Sequence, residues 1–222
     1  MPSKTIENYI KQIYALQQQT PGKFVHMGRL AELMKVVPGT ATSMMKALSD
    51  ANLVDYEPRA GVKLTDSGRQ LALHVLRRHR LVELLLVQML GLDWSEVHDE
   101  AEEIEHVVSD KLLDAIDRVL GRPVSDPHGD PIPSVGGQLP AQKNMNLADC
   151  PLRRGMKIVR VLDQHQSFLH FARQAGLLPG KAVVVEARDP HADAINLRIQ
   201  KGKKSHSAVI SFSVAEKFLV EA

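Results

Sequence analysis

Glu102, Glu105 and His106 stand in the run HDEAEEIEH, residues 98–106, and are the side chains best placed to do chemistry in this chain. On a helix, positions i, i+3 and i+4 leave one face, so two carboxylates and an imidazole would converge there. Converging carboxylates repel unless a cation or solvent separates them. The donor set is hard to borderline and suits Mn²⁺ or Fe²⁺ as well as Zn²⁺. His79 and Glu83 are spaced i, i+4 on the preceding predicted helix, and His98 lies one turn before Glu102. The competing reading is a solvated acidic face, since nine acidic residues stand against the single basic Lys111 between Glu96 and Asp117.

Enzyme chemistry lacks its usual parts. Glu103-x-x-His106 matches half of a di-iron motif, but that chemistry needs a second copy on another helix. There is no H-E-x-x-H, no G-x-S-x-G and no glycine loop for a phosphate. Cys150, the only cysteine, has no neighbouring base and precedes Pro151. The sequence therefore predicts no catalytic residues and no small organic substrate, leaving a metalloenzyme as a remote alternative.

The elements that would position these groups begin with an amphipathic helix over residues 5–18, where Ile6, Ile10, Ile13, Tyr14 and Leu16 recur at helical spacing. Thr20-Pro21-Gly22 is expected to stop it. Met27, Leu30, Leu33 and Met34 mark a short second helix. A third opens at Pro38, where a first-turn proline is tolerated, and carries the stripe Ala41, Met44, Met45, Leu48. Val54, Tyr56, Val62 and Leu64 alternate around Pro58-Arg59-Ala60-Gly61, a hairpin signal. Helix, turn, helix, hairpin is the pattern of a winged helix-turn-helix.

Its third helix starts with the small polar face Gly39, Thr40, Thr42, Ser43 and then Lys46, which together with Pro38 are the expected contacts to DNA. Recognition helices approach base edges with their N-terminal residues. Arg59 and Lys63 in the wing would reach phosphates. Residues 1–72 carry nine Lys/Arg against six Asp/Glu, a balance that suits an anionic partner.

A long helix should run from Asp66 to Leu90, its segment Leu81–Val87 apolar on more than one face and therefore buried against another helix or another chain. Gly91 ends it, Ser95 offers a cap for the next helix, and Ser109 another. Six prolines and glycines between Gly121 and Pro133 read as a linker over 121–149. Beyond Pro151, strand-like runs at 157–161, 182–187, 196–199 and 208–211, with a helix over 167–175, predict a small, partly open β-barrel. Hydrophobics at 44% allow a sizeable core, aromatics at 4% make it aliphatic, and one cysteine fits a reducing compartment. No apolar run reaches a membrane span and the start is polar, so a cytoplasmic protein without a membrane role is expected.

Taken in order, these residues resemble the family of the diphtheria toxin repressor and the manganese transport regulators. The likeness is carried by Glu7-Asn8-Tyr9-Ile10 with Gln12-Ile13-Tyr14, Ala31-Glu32-Leu33, Asn52-Leu53-Val54 and Leu64-Thr65-Asp66-Ser67-Gly68. It continues through His79-Arg80-Leu81 with Glu83, Glu102-x-x-Glu105-His106, the loop from Asp126 to Pro133, and Gly176-Leu177-Leu178-Pro179-Gly180. The resemblance implies a mainly α chain. Its parts would be a winged helix-turn-helix (1–72), a helical dimerisation and metal-binding domain (73–120), a linker (121–149) and an SH3-like, FeoA-type domain (150–222).

It further implies a homodimer, joined through the helical domain, that represses transcription at palindromic double-stranded operator DNA when metal is bound. The primary metal ligands would be Asn8, His79, Glu102, Glu105 and His106. Ancillary ligands would be Glu83, His98, Asp126, His128 and Asp163. Manganese-selective members carry Asp where this chain has Asn8, and those with two ions have Glu where Lys11 stands. Iron-selective members have Met and Cys at the positions of Asn8 and Glu102. Glu102 therefore leans toward Mn²⁺ as cofactor, with Fe²⁺ the alternative. A winged-helix regulator indifferent to metals is the alternative function, argued by Asn8 and Lys11.

Overall fold

The computed structural model describes residues 3–20, 22–141, 144–201 and 204–222; the expected turn at Thr20-Pro21-Gly22 includes Pro21, which lies outside them. Three helices come first, α1 (Lys4–Gln19), α2 (Met27–Leu33) and α3 (Pro38–Asp50), then the hairpin β1 (Val54–Glu57) and β2 (Gly61–Leu64). Helices α4 (Asp66–Gln88), α5 (Val97–Ile104) and α6 (Asp110–Val119) follow. The last third holds β3 (Met145–Asn146), β4 (Gly155–Val161), α7 (Gln166–Ala175), β5 (Ala182–Asp189), β6 (Ala194–Lys201), β7 (Lys204–Ile210), α8 (Phe212–Ala215) and β8 (Phe218–Glu221). They fall into two compact units. The first is Met1–His79 with Glu105–Val108 and Pro133–Gln138; the second is Arg80–Ile104, Ser109–Ile132 and Leu139–Ala222.

In the first unit the stripe expected of α1 is buried: Tyr9, Ile10, Ile13, Tyr14 and Leu16 pack with Leu30, Met45, Leu48, Val54, Val62 and Leu73. Burying each such aliphatic side chain contributes about 1.5–3 kcal/mol. The Ser3 hydroxyl caps α1 by accepting the Ile6 N–H, and Pro38 occupies the first turn of α3. β1 and β2 pair antiparallel, with Val54 opposite Leu64 and Glu57 opposite Gly61. Gly61 has φ +128°, and a Cβ there would collide with the Val25 carbonyl, so this corner of the wing needs glycine.

The second unit has its core in the β region. Its six-stranded sheet runs β3-β8-β4-β5-β6-β7, with register shifts between Ile158 and Arg160 and between Val185 and Ala187 that bend it. Met156, Ile158, Val161, Val183, Val185, Leu197, Ile199, Phe218 and Val220 form the interior with Leu169 and Ala172 of α7. Among the described residues the end strands β3 and β7 do not pair, so the barrel is open.

Three expectations need correction. The chain is 43% helical and 21% strand, so it is mixed rather than mainly α; the short β3 and β8 left too little alternation to read. Ser95 does not cap α5: its N–H and hydroxyl both go to Asp93 Oδ1, and the helix starts at Val97. Ser109, in contrast, does cap α6 through the Leu112 N–H. The expected linker is also no loose tether, for Asp126 and His128–Ile132 are buried. Asp126 Oδ1 accepts the N–H groups of His128 and Asp130, Val161 donates to the His128 carbonyl, and Arg80 donates to that of Pro131. These bonds satisfy backbone groups that a buried loop would otherwise leave unpaired. Among the described residues, no helix is long and apolar enough to cross a membrane.

Candidate metal centre

Glu105 and His106 do not extend the helical face their spacing predicts. Helix α5 ends at Ile104, and both residues sit in the turn after it, within the first unit. Glu105 is fully buried. Its Oε2 lies 2.6 Å from His79 Nδ1 and its Oε1 accepts from Lys11 Nζ at 2.7 Å. Burial alone would raise its pKa, but hydrogen bonds and charge from His79 and Lys11 outweigh that and hold it below the usual carboxylate value.

His106 Nδ1 is 2.6 Å from Glu7 Oε2, and Glu7 Oε1 accepts from Arg78 Nη2 at 2.6 Å. A carboxylate can only accept, so Nδ1 carries a proton, and with that single proton on the ring Nε2 presents its lone pair. That Nε2 lies 3.3 Å from Glu105 Oε1, buried and without a hydrogen-bond partner among the described residues. A cation between the two would satisfy both, on an oxygen that Lys11 already holds. A buried carboxylate behind the imidazole is also how metal-binding histidines are commonly oriented. Asn8 Oδ1, on α1 of the same unit, is likewise buried with no hydrogen-bond partner among the described residues. The unpaired Nε2 and Oδ1, with Glu105 and His79, fit a divalent ion.

Glu7 and Arg78 take part in this cluster although the sequence pattern gave them no role in it, and Lys11, read only as a departure from the family's Glu, pairs with Glu105. The signal was present for two of them: Glu7 and Lys11 are charges inside the apolar stripe of α1, and all but buried. Arg78 lies on α4 beside His79 without a comparable cue.

The second unit gathers Glu83, Asp126 and His128, whose ligand atoms lie within 4.8 Å of one another. All three are buried. His128 Nε2 lies 2.8 Å from the Trp94 carbonyl, which can only accept. With a single proton on the ring, at Nε2, Nδ1 presents its lone pair 3.8 Å from Glu83 Oε2, with no hydrogen-bond partner among the described residues. Glu83 Oε1 lies 3.3 Å from His98 Nδ1, and His98 Nε2 3.7 Å from Glu102 Oε1. Burial, then the charges of Asp130 and Glu83, push the Asp126 carboxyl well above its ordinary value, with Arg80 opposing. Asp163 is engaged elsewhere, accepting from Lys217 Nζ at 2.6 Å. Burial would raise its pKa, but Lys217 and the His165 N–H hold it low. It lines, with His98 and His165, a cleft of about 550 Å³.

In the winged helix, Pro38, Gly39, Thr40, Ser43 and Lys46 are exposed, as is Arg59 in the wing. No acidic residue occupies the first turn of α3, leaving its positive dipole end open to an anion. The Thr42 hydroxyl donates to the Pro38 carbonyl, and Lys63 Nζ stands 4.4 Å over the Phe24 ring.

Comparison with known proteins matches three family descriptions along the chain: "Iron dependent repressor, N-terminal DNA binding domain" over residues 1–62, "Iron dependent repressor, metal binding and dimerisation domain" over 65–134, and "FeoA domain" over 145–222. The iron-dependent repressor IdeR of Mycobacterium tuberculosis is 32% identical over 194 residues, covering 82% of this chain and 84% of its own. The diphtheria toxin repressor of Corynebacterium glutamicum is 36% identical over 132 residues, 60% of this chain and 57% of its own. Among solved structures, a manganese-dependent transcriptional repressor in complex with manganese superposes with TM-score 0.84 at 37% identity, covering 97% of this chain and 98% of that one. ScaR with bound Zn²⁺ gives 0.74 at 31%, covering 99% of each. The chain belongs to the diphtheria toxin repressor family of metal-dependent transcriptional repressors.

Proposed function

We propose that this chain binds palindromic operator DNA as a homodimer when a divalent cation, Mn²⁺ in preference to Fe²⁺, is held by Asn8, His79, Glu102, Glu105 and His106. The observation that carries the reading is the buried, unpaired lone pair of His106 Nε2, 3.3 Å from Glu105 Oε1. A bound cation supplies a positive charge that these lone pairs can share. The remaining contributions come from the chain itself. Glu7 fixes the His106 tautomer, and Asn8 ties α1 to the turn after α5. The orientation of α3, and so the spacing of two recognition helices in a dimer, depends on that tie. Half-sites about one helical turn apart reward only the matching spacing, so the metal-bound conformation is the one DNA selects.

Preference for Mn²⁺ rests on oxygen and imidazole donors without a thiolate. Cys150 is fully buried in the β core, with its carbonyl accepting from Arg188. Glu83, Asp126, His128 and His98 form a second cation site in this reading, while Asp163 stays with Lys217. Arg59, Lys63 and Lys46 hold phosphates while Pro38–Ser43 approach base edges.

The test is selection of duplexes from a random library with Mn²⁺ and again with chelator, on wild type and on Glu105→Gln and His106→Ala. Palindromes enriched only by metal-loaded wild type support the reading. The same palindromes enriched by all three proteins in chelator overturn it in favour of a metal-independent regulator.

A further inference from the structure

One buried cation in the first unit has no place in that ligand set: Lys11. Its side chain is 9% exposed, and its ammonium sits 2.7 Å from the Glu105 oxygen that His106 Nε2 also approaches. We propose that Lys11 is a built-in competitor of the metal, holding Glu105 in the metal-free protein and yielding that oxygen when a divalent cation enters. This rests on the metal-dependent reading of the same cluster.

Glu7 and Glu105 carry two negative charges, and Arg78 and Lys11 two positive ones, all buried and within ion-pair distance. Each buried carboxylate of the cluster is therefore already matched by a cation of the chain before any metal arrives. A divalent ion on Glu105 and His106 would stand beside the ammonium in a poorly solvated site, where like charges a few ångströms apart repel strongly. One of the two resident cations must move. Arg78 is the worse candidate, because it is 1% exposed and bonds both Glu7 Oε1 and the Glu105 carbonyl. Lys11 is a point charge on four flexible methylenes, able to carry its head toward water while its stem stays packed. Asn8 adds no charge that would offset the ammonium. Lys11 thus keeps the empty cluster folded and lowers its affinity for metal, a threshold set by one side chain.

The experiment is calorimetric titration of the full-length metal-free protein with MnCl₂ alone, comparing wild type with Lys11→Met, Lys11→Gln and Lys11→Arg. Charge competition predicts that Met and Gln tighten Mn²⁺ binding on the order of tenfold or more, while Arg stays near wild type. Thermal unfolding supplies the second readout: Met and Gln lower the metal-free Tm, and Mn²⁺ restores it. A merely structural lysine gives the opposite sign, with weaker metal binding in both neutral variants. Wild-type affinity or weaker binding in Lys11→Gln, with the wild type binding Mn²⁺, overturns the role of Lys11 and leaves the metal reading standing. The Gln variant decides even if Met does not fold. Failure of every protein, wild type included, to bind Mn²⁺ overturns the metal reading itself and the competitor with it.

Discussion

In the first unit each buried carboxylate of the cluster meets a cation of the chain, Glu7 with Arg78 and Glu105 with Lys11. In the second unit Glu83 and Asp126 gather with His128, and Arg80 stands 3.7 Å from Asp126 and 3.6 Å from Asp130, which also pairs with Arg160. Removing charge from water is costly in both places. The first cluster answers with internal ion pairs and holds Glu105 ionised; the second answers by raising the Asp126 pKa. One cluster is stable empty and gives something up to take a cation. The other sets three buried carboxylates, Glu83, Asp126 and Asp130, against Arg80 and Arg160, and has more to gain from one.

The sharpest way to break this contrast is Arg78→Met, which leaves Glu7 buried without its guanidinium. Removing one partner of a buried pair costs about 3–5 kcal/mol. Arg29→Ala, from a pair 56% and 69% exposed, should cost less than about 1 kcal/mol. Urea unfolding of the metal-free variants measures both, and equal losses would mean that the buried network contributes no more than a surface pair.

Metal addition comes next in size. At a hundredfold excess over its Kd, one bound ion adds about 2.7 kcal/mol of stability. Asp126→Asn should lose that gain at the second cluster. The amide keeps the Oδ1 that accepts the His128 and Asp130 N–H groups while removing a crowded charge, so the metal-free variant should be as stable as wild type or more so. A metal-free Asp126→Asn protein that unfolds early would show that the carboxylate charge supports the loop, against the contrast drawn here.

The winged helix was legible because its elements are local: the α1 stripe, Pro38 opening α3, and the alternation around Pro58–Gly61 all act within a few residues. The residues His79, Glu105 and His106 that meet in the first unit were singled out too, but their geometry was not legible. Periodicity carried the helix through Glu105, whereas the chain leaves it at Ile104, which let Glu105 join His79 and Lys11 instead of continuing one helical face. Glu7 and Arg78 escaped for a related reason, as they lie 71 residues apart and no local pattern records such a pair. The loop 121–133 looked like a linker because Pro and Gly mark turns; the same residues serve a buried turn when its polar groups are met by Asp126 and Arg80.

Acidity separates the clusters further, with opposite signs. Glu105 titrates below its unfolded value near 4.5, so its contribution is full above that value and disappears as pH falls through the lower folded pKa. Asp126 titrates well above its unfolded value of 3.8, so its contribution is full below 3.8 and disappears as pH rises through the raised folded pKa. Metal-free wild type should therefore lose stability relative to Asp126→Asn as pH climbs above 3.8, while Mn²⁺ affinity at this cluster climbs, since only the ionised carboxylate binds. Unfolding curves of the two proteins that stay parallel from about pH 4 to about pH 8 would contradict the assignment.

A small effect on stability falls at His98, and it tells most about the limits of the second cluster. Its side chain is 47% exposed and stands between Glu83 at 3.3 Å and Glu102 at 3.7 Å. Solvent reaches the imidazole of both pairs, although the Glu83 side chain is 1% exposed, so His98→Ala should change metal-free stability by about 1 kcal/mol. His128, fully buried and held by the Trp94 carbonyl, is part of the packing, so its removal would confuse loss of a ligand with loss of a core. His98 offers the cleaner separation. If Mn²⁺ stabilises His98→Ala as much as wild type, the second ion is held by Glu83, Asp126 and His128 alone. If that stabilisation falls while the metal-free protein changes by no more than about 1 kcal/mol, His98 is a ligand, and its exposed ring is the route by which solvent, and a hydrated cation, reaches the buried carboxylates.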